Sequence, residues 1–131
     1  MHAIALEAVE GALEASPAEI VVVGGTASNL LKVLMAGNGD RSVTREGIAE
    51  AQAVLGAQPS DRAAEGYLIR PGRARILAAG AAILDAILEH YGAPSLRVSE
   101  AGIREGTILA VDHAGRAWRD RLAELAHGWR T

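Results

Sequence analysis

The sequence predicts an α/β fold, helix-rich and with a small parallel sheet. Three observations predict it. The run Ile20-Val21-Val22-Val23 stops at Gly24-Gly25 and reads as a β-branched strand. Leu96 and Val98 alternate with Arg97 in a second short strand. Before, between and after these strands, apolar residues recur at helical spacing. Strands separated by helices point to parallel pairing.

Each element has its own signal. Leu6, Val9 and Leu13 fall at i, i+3 and i+7, so residues 3–15 are expected to form an amphipathic helix ended by Ser16-Pro17. The Ile-Val-Val-Val run has no polar alternation. It is therefore expected to be buried on both faces, as in a parallel sheet. "TASNLLKVLMAG" reads as a second helix, with Leu30, Leu31 and Leu34 inward and Gly37 as its C-cap. "GNGDRS" reads as a loop. Thr44 can cap a third helix whose Ile48, Ala51 and Leu55 share a face, and Ser60-Asp61 can start a short helical piece. "IRPGRAR" reads as a turn rich in positive charge. In the long helix after it, Leu84, Ile87, Leu88 and Tyr91 share a face, and Gly92 and Pro94 close it. A helix follows from Ile103 to His113, and Trp118, Leu122, Leu125 and Trp129 mark a last amphipathic helix. The organisation expected is a main body over residues 1–113 and a C-terminal helix over 114–131.

Composition narrows the function. The 131 residues suffice for one core, half of them are hydrophobic, and the absence of Phe makes that core aliphatic. A net charge of −3 and 3% aromatics argue against a DNA or RNA partner, which needs clustered cations and stacking platforms. Without cysteine there is no disulfide, thiol nucleophile or Cys-ligated metal. The N-terminus lacks a basic region and a continuous apolar run, and no apolar stretch is long enough to cross a bilayer. A cytoplasmic, non-membrane protein is expected.

Two strand–turn–helix junctions invite a ligand. At Gly24-Gly25-Thr26 the glycines let a ligand approach the backbone, and the first amides of the next helix favour an anion. The plainer reading is a tight turn with Thr26 or Ser28 as N-cap. It is neither a Walker loop nor a dinucleotide fingerprint. In "SEAGIREG", Ser99 can cap, Gly102 can take a positive φ, and Glu105 suits the positive helix end. Arg104 is out of place there and calls for an anionic partner, which Glu100 or Asp112 could supply. Arg70, Arg73 and Arg75 could grip phosphate oxygens or form a solvated charge run.

No catalytic constellation emerges. His2, His90, His113 and His127 read as surface or helix-end residues with no acidic cluster, so no metal site is expected. Asp85 and Glu89, at i and i+4, read as a solvated face.

Three stretches in order, "VVVGGTASNL", "GRARILAAGAAILDAILEHYG" and "LRVSEAGIREG", resemble the C-terminal part of the exopolyphosphatase / guanosine pentaphosphate phosphohydrolase (Ppx/GppA) family. The resemblance runs from Ala3 to His113, and the Ser-x-x-Gly-Ile-Arg-Glu-Gly motif is its most specific part. It implies a lobe of the ribonuclease-H-like (actin-like ATPase) fold, with a cleft between two lobes. It also implies Mg²⁺-assisted hydrolysis of terminal phosphoanhydride bonds in polyphosphate or guanosine pentaphosphate. Gly24, Gly25 and Thr26 match the family's glycine motif on the cleft side. Arg73 matches a recurrent arginine before the long helix, and Arg104 lies in the late motif. These five are the phosphate-binding candidates; no catalytic residue is assigned.

The departures are informative. The family's Asp-x-Gly-Ser loop, catalytic glutamate and Asp-Ile-Gly-Gly-Gly-Ser loop do not occur in this sequence. Arg73-Ala74-Arg75 stands where Arg-Ala-Asp is usual, and a proline common near the start of that helix is absent from "LAAGAAIL". Two strands are also too few for a run as apolar as Ile-Val-Val-Val. Both arguments lead to the same expectation: an incomplete lobe, inactive alone, that lacks its N-terminal partner lobe and associates with a second copy. The alternative is a non-catalytic module that binds polyphosphate or a nucleotide, or serves in oligomerisation.

Overall fold

The computed structural model describes residues 1–12, 16–34 and 41–125. They fall into two compact units, divided between Glu100 and Ala101.

In the first unit, helix α1 (His2–Val9) precedes strand β1 (Val21–Val23) and helix α2 (Gly25–Val33). Strand β2 (Ser42–Thr44) leads into α3 (Arg45–Gly56), then α4 (Ser60–Gly66) and α5 (Pro71–His90). Strand β3 (Ser95–Ser99) closes the unit. The sheet order is β1-β3-β2. β1 runs parallel to β3, with Val22 beside Val98, and β2 runs antiparallel to it, with Val43 beside Leu96. The sheet is therefore mixed rather than parallel. β2 lies partly where the sequence reads as a loop, because three residues with one apolar side chain carry too little alternation to register.

One face of the sheet is the core face. Val43, Leu96 and Val98 are fully buried with Leu30 of α2, Ile48 of α3 and Leu88 of α5. Each such side chain contributes about 1.5–3 kcal/mol by leaving water. Alanines at 27, 51, 81 and 86 are fully buried and let the helices approach closely. The other face carries Val21, Val23, Ser95, Arg97 and Ser99. Val21 and Val23 are 45% and 54% exposed. Among the described residues the expectation of burial on both faces is thus not met: β1 is an edge strand of their sheet with one face open.

Local chemistry sets the helix ends. The Thr44 hydroxyl accepts the Gly47 amide at 3.1 Å, the expected N-cap of α3. Pro71 sits at the first position of α5. The ring needs no amide partner there, so "IRPGRAR" becomes the first turn of a helix rather than a loop. Helix α1 ends at Val9, short of the expected 3–15, and Ala5 is its buried residue. Leu13, Gly37, His127 and Trp129 lie outside the described residues.

The second unit holds α6 (Ile103–Ala114), a 3-10 turn (Gly115–Ala117) and the short helix α7 (Leu122–Leu125). Ile103 and Ile108 of α6 are 88% and 68% exposed. No helix among the described residues is long and apolar enough to cross a membrane.

Candidate functional site

The glycine turn lies at the carboxyl end of β1, the end at which open α/β sheets place their ligands. Gly24 has φ 106° and ψ 178°, a conformation essentially reserved for glycine. It is the N-cap of α2, so the expected Thr26 or Ser28 cap is not formed. The Ser28 hydroxyl instead donates back to the Gly24 carbonyl at 3.0 Å. The amides of Gly25, Thr26 and Ala27, in the first turn of α2, have no acceptor within the helix.

Arg73 stands over this turn from the first turn of α5. A Cβ on Gly25 would lie 3.6 Å from its Cζ and 3.7 Å from its Nη1. A Cβ at position 25 would thus rest in van der Waals contact with the guanidinium. Among the described residues Arg73 makes no ion pair. A guanidinium beside outward-pointing amides is the chemistry that attracts phosphate or carboxylate oxygens.

Thr26 has a different task. A Cβ on Gly80, midway along α5, would lie 2.5 Å from the Thr26 Cγ2. The Thr26 methyl thus lodges against the bare backbone of α5. This contact lets α2 and α5 close on each other and carries Arg73 to Gly25. The sequence holds a signal for it: glycine inside a long helix costs about 1 kcal/mol relative to alanine, so it needs a packing reason.

Arg104 belongs to the second unit. At the start of α6 the N-cap is Gly102, with φ −125°, so neither a Ser99 cap nor a positive φ at Gly102 occurs. The Glu105 carboxylate accepts the Gly102 amide at 2.7 Å. That hydrogen bond, together with the nearby Arg104 charge, holds the Glu105 carboxyl below its usual range. The end of α6 is therefore capped by its own side chain. Glu100 pairs with Arg41 at 2.8 Å, not with Arg104. Among the described residues Arg104 forms no ion pair.

One cluster escaped the sequence reading. The Asp85 and Glu89 carboxylates of α5 meet His2 of α1, at 2.9 Å and 3.3 Å. So His2 does have acidic neighbours, and Asp85, with 19% of its side chain exposed, is no solvated face. The three ligand atoms lie within 4.8 Å of one another, close enough for a metal ion. Arg45 already fills the cation's role, donating to Asp85 at 2.8 Å and Glu89 at 2.7 Å. The cluster is an ion-pair network joining the starts of α1 and α3 to α5.

A cleft of about 380 Å³ opens at the opposite end of the sheet, around Ile20, Tyr91 and Pro94. Its charges are spent on each other: Arg97 donates to Glu19 at 2.6 and 2.9 Å. The glycine turn is therefore the better candidate.

The fold has solved relatives. Crystal structures of the Aquifex aeolicus Ppx/GppA phosphatase are similar to it at 20% identity. The type II variant superposes with a TM-score of 0.73 over 83% of this chain, and a further structure of the Aquifex aeolicus family member with 0.75 over 88%. This chain has the fold of part of a Ppx/GppA phosphatase. It spans about 40% of the length of those proteins. No family model and no curated relative matches it. The Ppx/GppA fold is the actin-like ATPase one, as the resemblance implies. The Mg²⁺ that it also implies does not fit the candidate site. Gly24, Gly25, Thr26 and Arg73 offer no carboxylate, the donor a hard divalent cation takes first.

Proposed function

We propose that this chain is the C-terminal part of a Ppx/GppA-type phosphohydrolase and forms one wall of its interlobe cleft. The observation that carries the proposal is the guanidinium of Arg73 over Gly25, beside the first amides of α2, in a fold shared with these phosphatases. In this reading the amides and Arg73 hold phosphate oxygens of a polyphosphate chain or of guanosine pentaphosphate. The water-activating base and the Mg²⁺ ligands come from the other lobe, and the complete enzyme works in the cytoplasm.

The chain alone is expected to bind polyphosphate without hydrolysing it. Calorimetric titration with polyphosphate tests the first half, with Arg73→Ala expected to weaken binding at least several-fold. Absence of heat from wild type would remove the phosphate site. Phosphate release assays with Mg²⁺ test the second half. Turnover by the purified chain, abolished by Gly25→Val, would overturn the reading of an inactive part. The same amide–guanidinium pairing supports a second reading, a non-catalytic polyphosphate- or nucleotide-binding module. Recovery of hydrolysis when a Ppx/GppA N-terminal lobe is added would decide against it.

A further inference from the structure

The carboxyl end of the sheet carries a second fixed cation. β1 and β3 run parallel, with Val23 beside Ser99, so Gly24 and Glu100 leave the sheet side by side. β2 runs the other way and begins at that same end. Arg41, just ahead of β2, accepts the Val98 amide on its carbonyl at 2.6 Å. Its side chain also turns to the end of β3. Nε donates to the Val98 carbonyl at 3.2 Å, and Nη1 meets the Glu100 carboxylate at 2.8 Å. The order across the sheet end is therefore glycine turn, Glu100, Arg41, spread over two strand spacings, about 10 Å.

The two contacts of the Arg41 guanidinium are unequal. The Val98 carbonyl belongs to the central strand and stays in place. The Glu100 side chain is 76% exposed and free to swing into water, and surface pairs of this kind contribute little. A phosphate group offers the same charge-assisted acceptor, with two oxygens for the two Nη atoms. We propose that Arg41 is a second phosphate-contacting residue, and that Glu100 is a placeholder which a linear polyphosphate displaces. The proposal rests on the phosphohydrolase reading, in which this end of the sheet faces the interlobe cleft. One phosphate lies at Gly25 and Arg73, and the chain then crosses the ends of β1, β3 and β2 in that order. Arg41 exchanges the Glu100 carboxylate for phosphate oxygens, while Nε keeps the Val98 carbonyl and holds the guanidinium in position. A short anion at the glycine turn does not reach Arg41, so the residue selects for chain length.

The double variant Arg41→Ala/Glu100→Gln removes the pair and leaves the net charge of the chain unchanged. It therefore separates direct contact from long-range attraction. Calorimetric titrations compare it with wild type, using pyrophosphate and long-chain polyphosphate as probes. The double variant is expected to bind long-chain polyphosphate several-fold more weakly and pyrophosphate as wild type does. Unchanged pyrophosphate binding also shows that the glycine turn is intact. Glu100→Gln alone removes the competitor and keeps both backbone contacts of Arg41. It is expected to bind long-chain polyphosphate several-fold more tightly. Arg73→Ala is expected to weaken both probes, and so reports on the phosphohydrolase reading by itself. A double variant that binds long-chain polyphosphate like wild type, or that loses both probes together, would overturn the role of Arg41. So would a Glu100→Gln chain that binds no more tightly than wild type. In each of these cases an Arg73 effect leaves the phosphohydrolase reading standing. Binding of neither probe by wild type would remove that reading and this inference with it.

Discussion

Gly80 and Thr26 are in contact so close that the helix backbone at residue 80 has no room for a Cβ: it would stand 2.5 Å from the Thr26 Cγ2. This contact joins α2 to α5 next to the glycine turn. Gly80→Ala would ordinarily stabilise a helix by about 1 kcal/mol. Here overpacking of about 1–3 kcal/mol opposes that gain, because Thr26 is β-branched and stiff at χ1. The expected outcome is a net loss in urea unfolding, largely rescued by Thr26→Ser, which removes the obstructing methyl. A Gly80→Ala chain as stable as wild type would show that the helices separate freely there.

Leu68 occupies a conformation that suits glycine. Its φ is 53°, at the turn after α4, where the Ile69 amide reaches back to the Ala64 carbonyl at 2.9 Å. Its side chain is 84% exposed, so its replacement sacrifices little packing. The left-handed conformation costs a residue with a Cβ about 1–2 kcal/mol, and the added freedom of glycine in the unfolded chain returns part of it. Leu68→Gly is expected to raise unfolding stability by roughly 0.5–1 kcal/mol. A lower stability would mean the Leu68 side chain has a partner in solution.

The network of His2, Asp85, Glu89 and Arg45 makes a prediction about metal. The Arg45 guanidinium sits on both carboxylates, so zinc or a chelator is expected to leave the wild-type Tm unchanged. Arg45→Ala removes the resident cation and leaves one imidazole and two carboxylates, a donor set zinc accepts. The variant's Tm is expected to rise with zinc. A zinc-dependent rise in wild type would mean that the metal displaces Arg45.

Acid loosens the start of α6. The Gly102 amide lowers the Glu105 carboxyl in the folded chain. A lowered folded value stabilises fully above the ordinary glutamate range of about 4.3, and the contribution is lost as pH falls through the lowered value. The Gly102 amide resonance should therefore shift with an apparent midpoint below that range, and Glu105→Gln should remove the transition. A midpoint at or above it would deny the hydrogen bond in solution.

The sequence by itself determined the helices and the strand cores. Ile48 with Ala51, and Leu84 with Leu88, repeat at the spacing that buries one side of a helix. Leu96 and Val98 alternate around Arg97, and Thr44 announces the start of α3. These signals are local, because each is a backbone preference or a periodicity readable within a few residues. The three quoted motifs also pointed to the fold that the solved structures share. Tertiary structure decided the rest. β2 is a strand because β3 lies beside it, not because Ser42-Val43-Thr44 has a pattern of its own. Val21 and Val23 are open because, among the described residues, nothing packs on their face of the sheet, although their composition reads as buried. Arg73 meets Gly25, and His2 meets Asp85 and Glu89, only where α5 crosses α2 and α1. Those meetings depend on the small residues that set how closely helices approach, and no spacing along the chain encodes a distance between elements far apart in it.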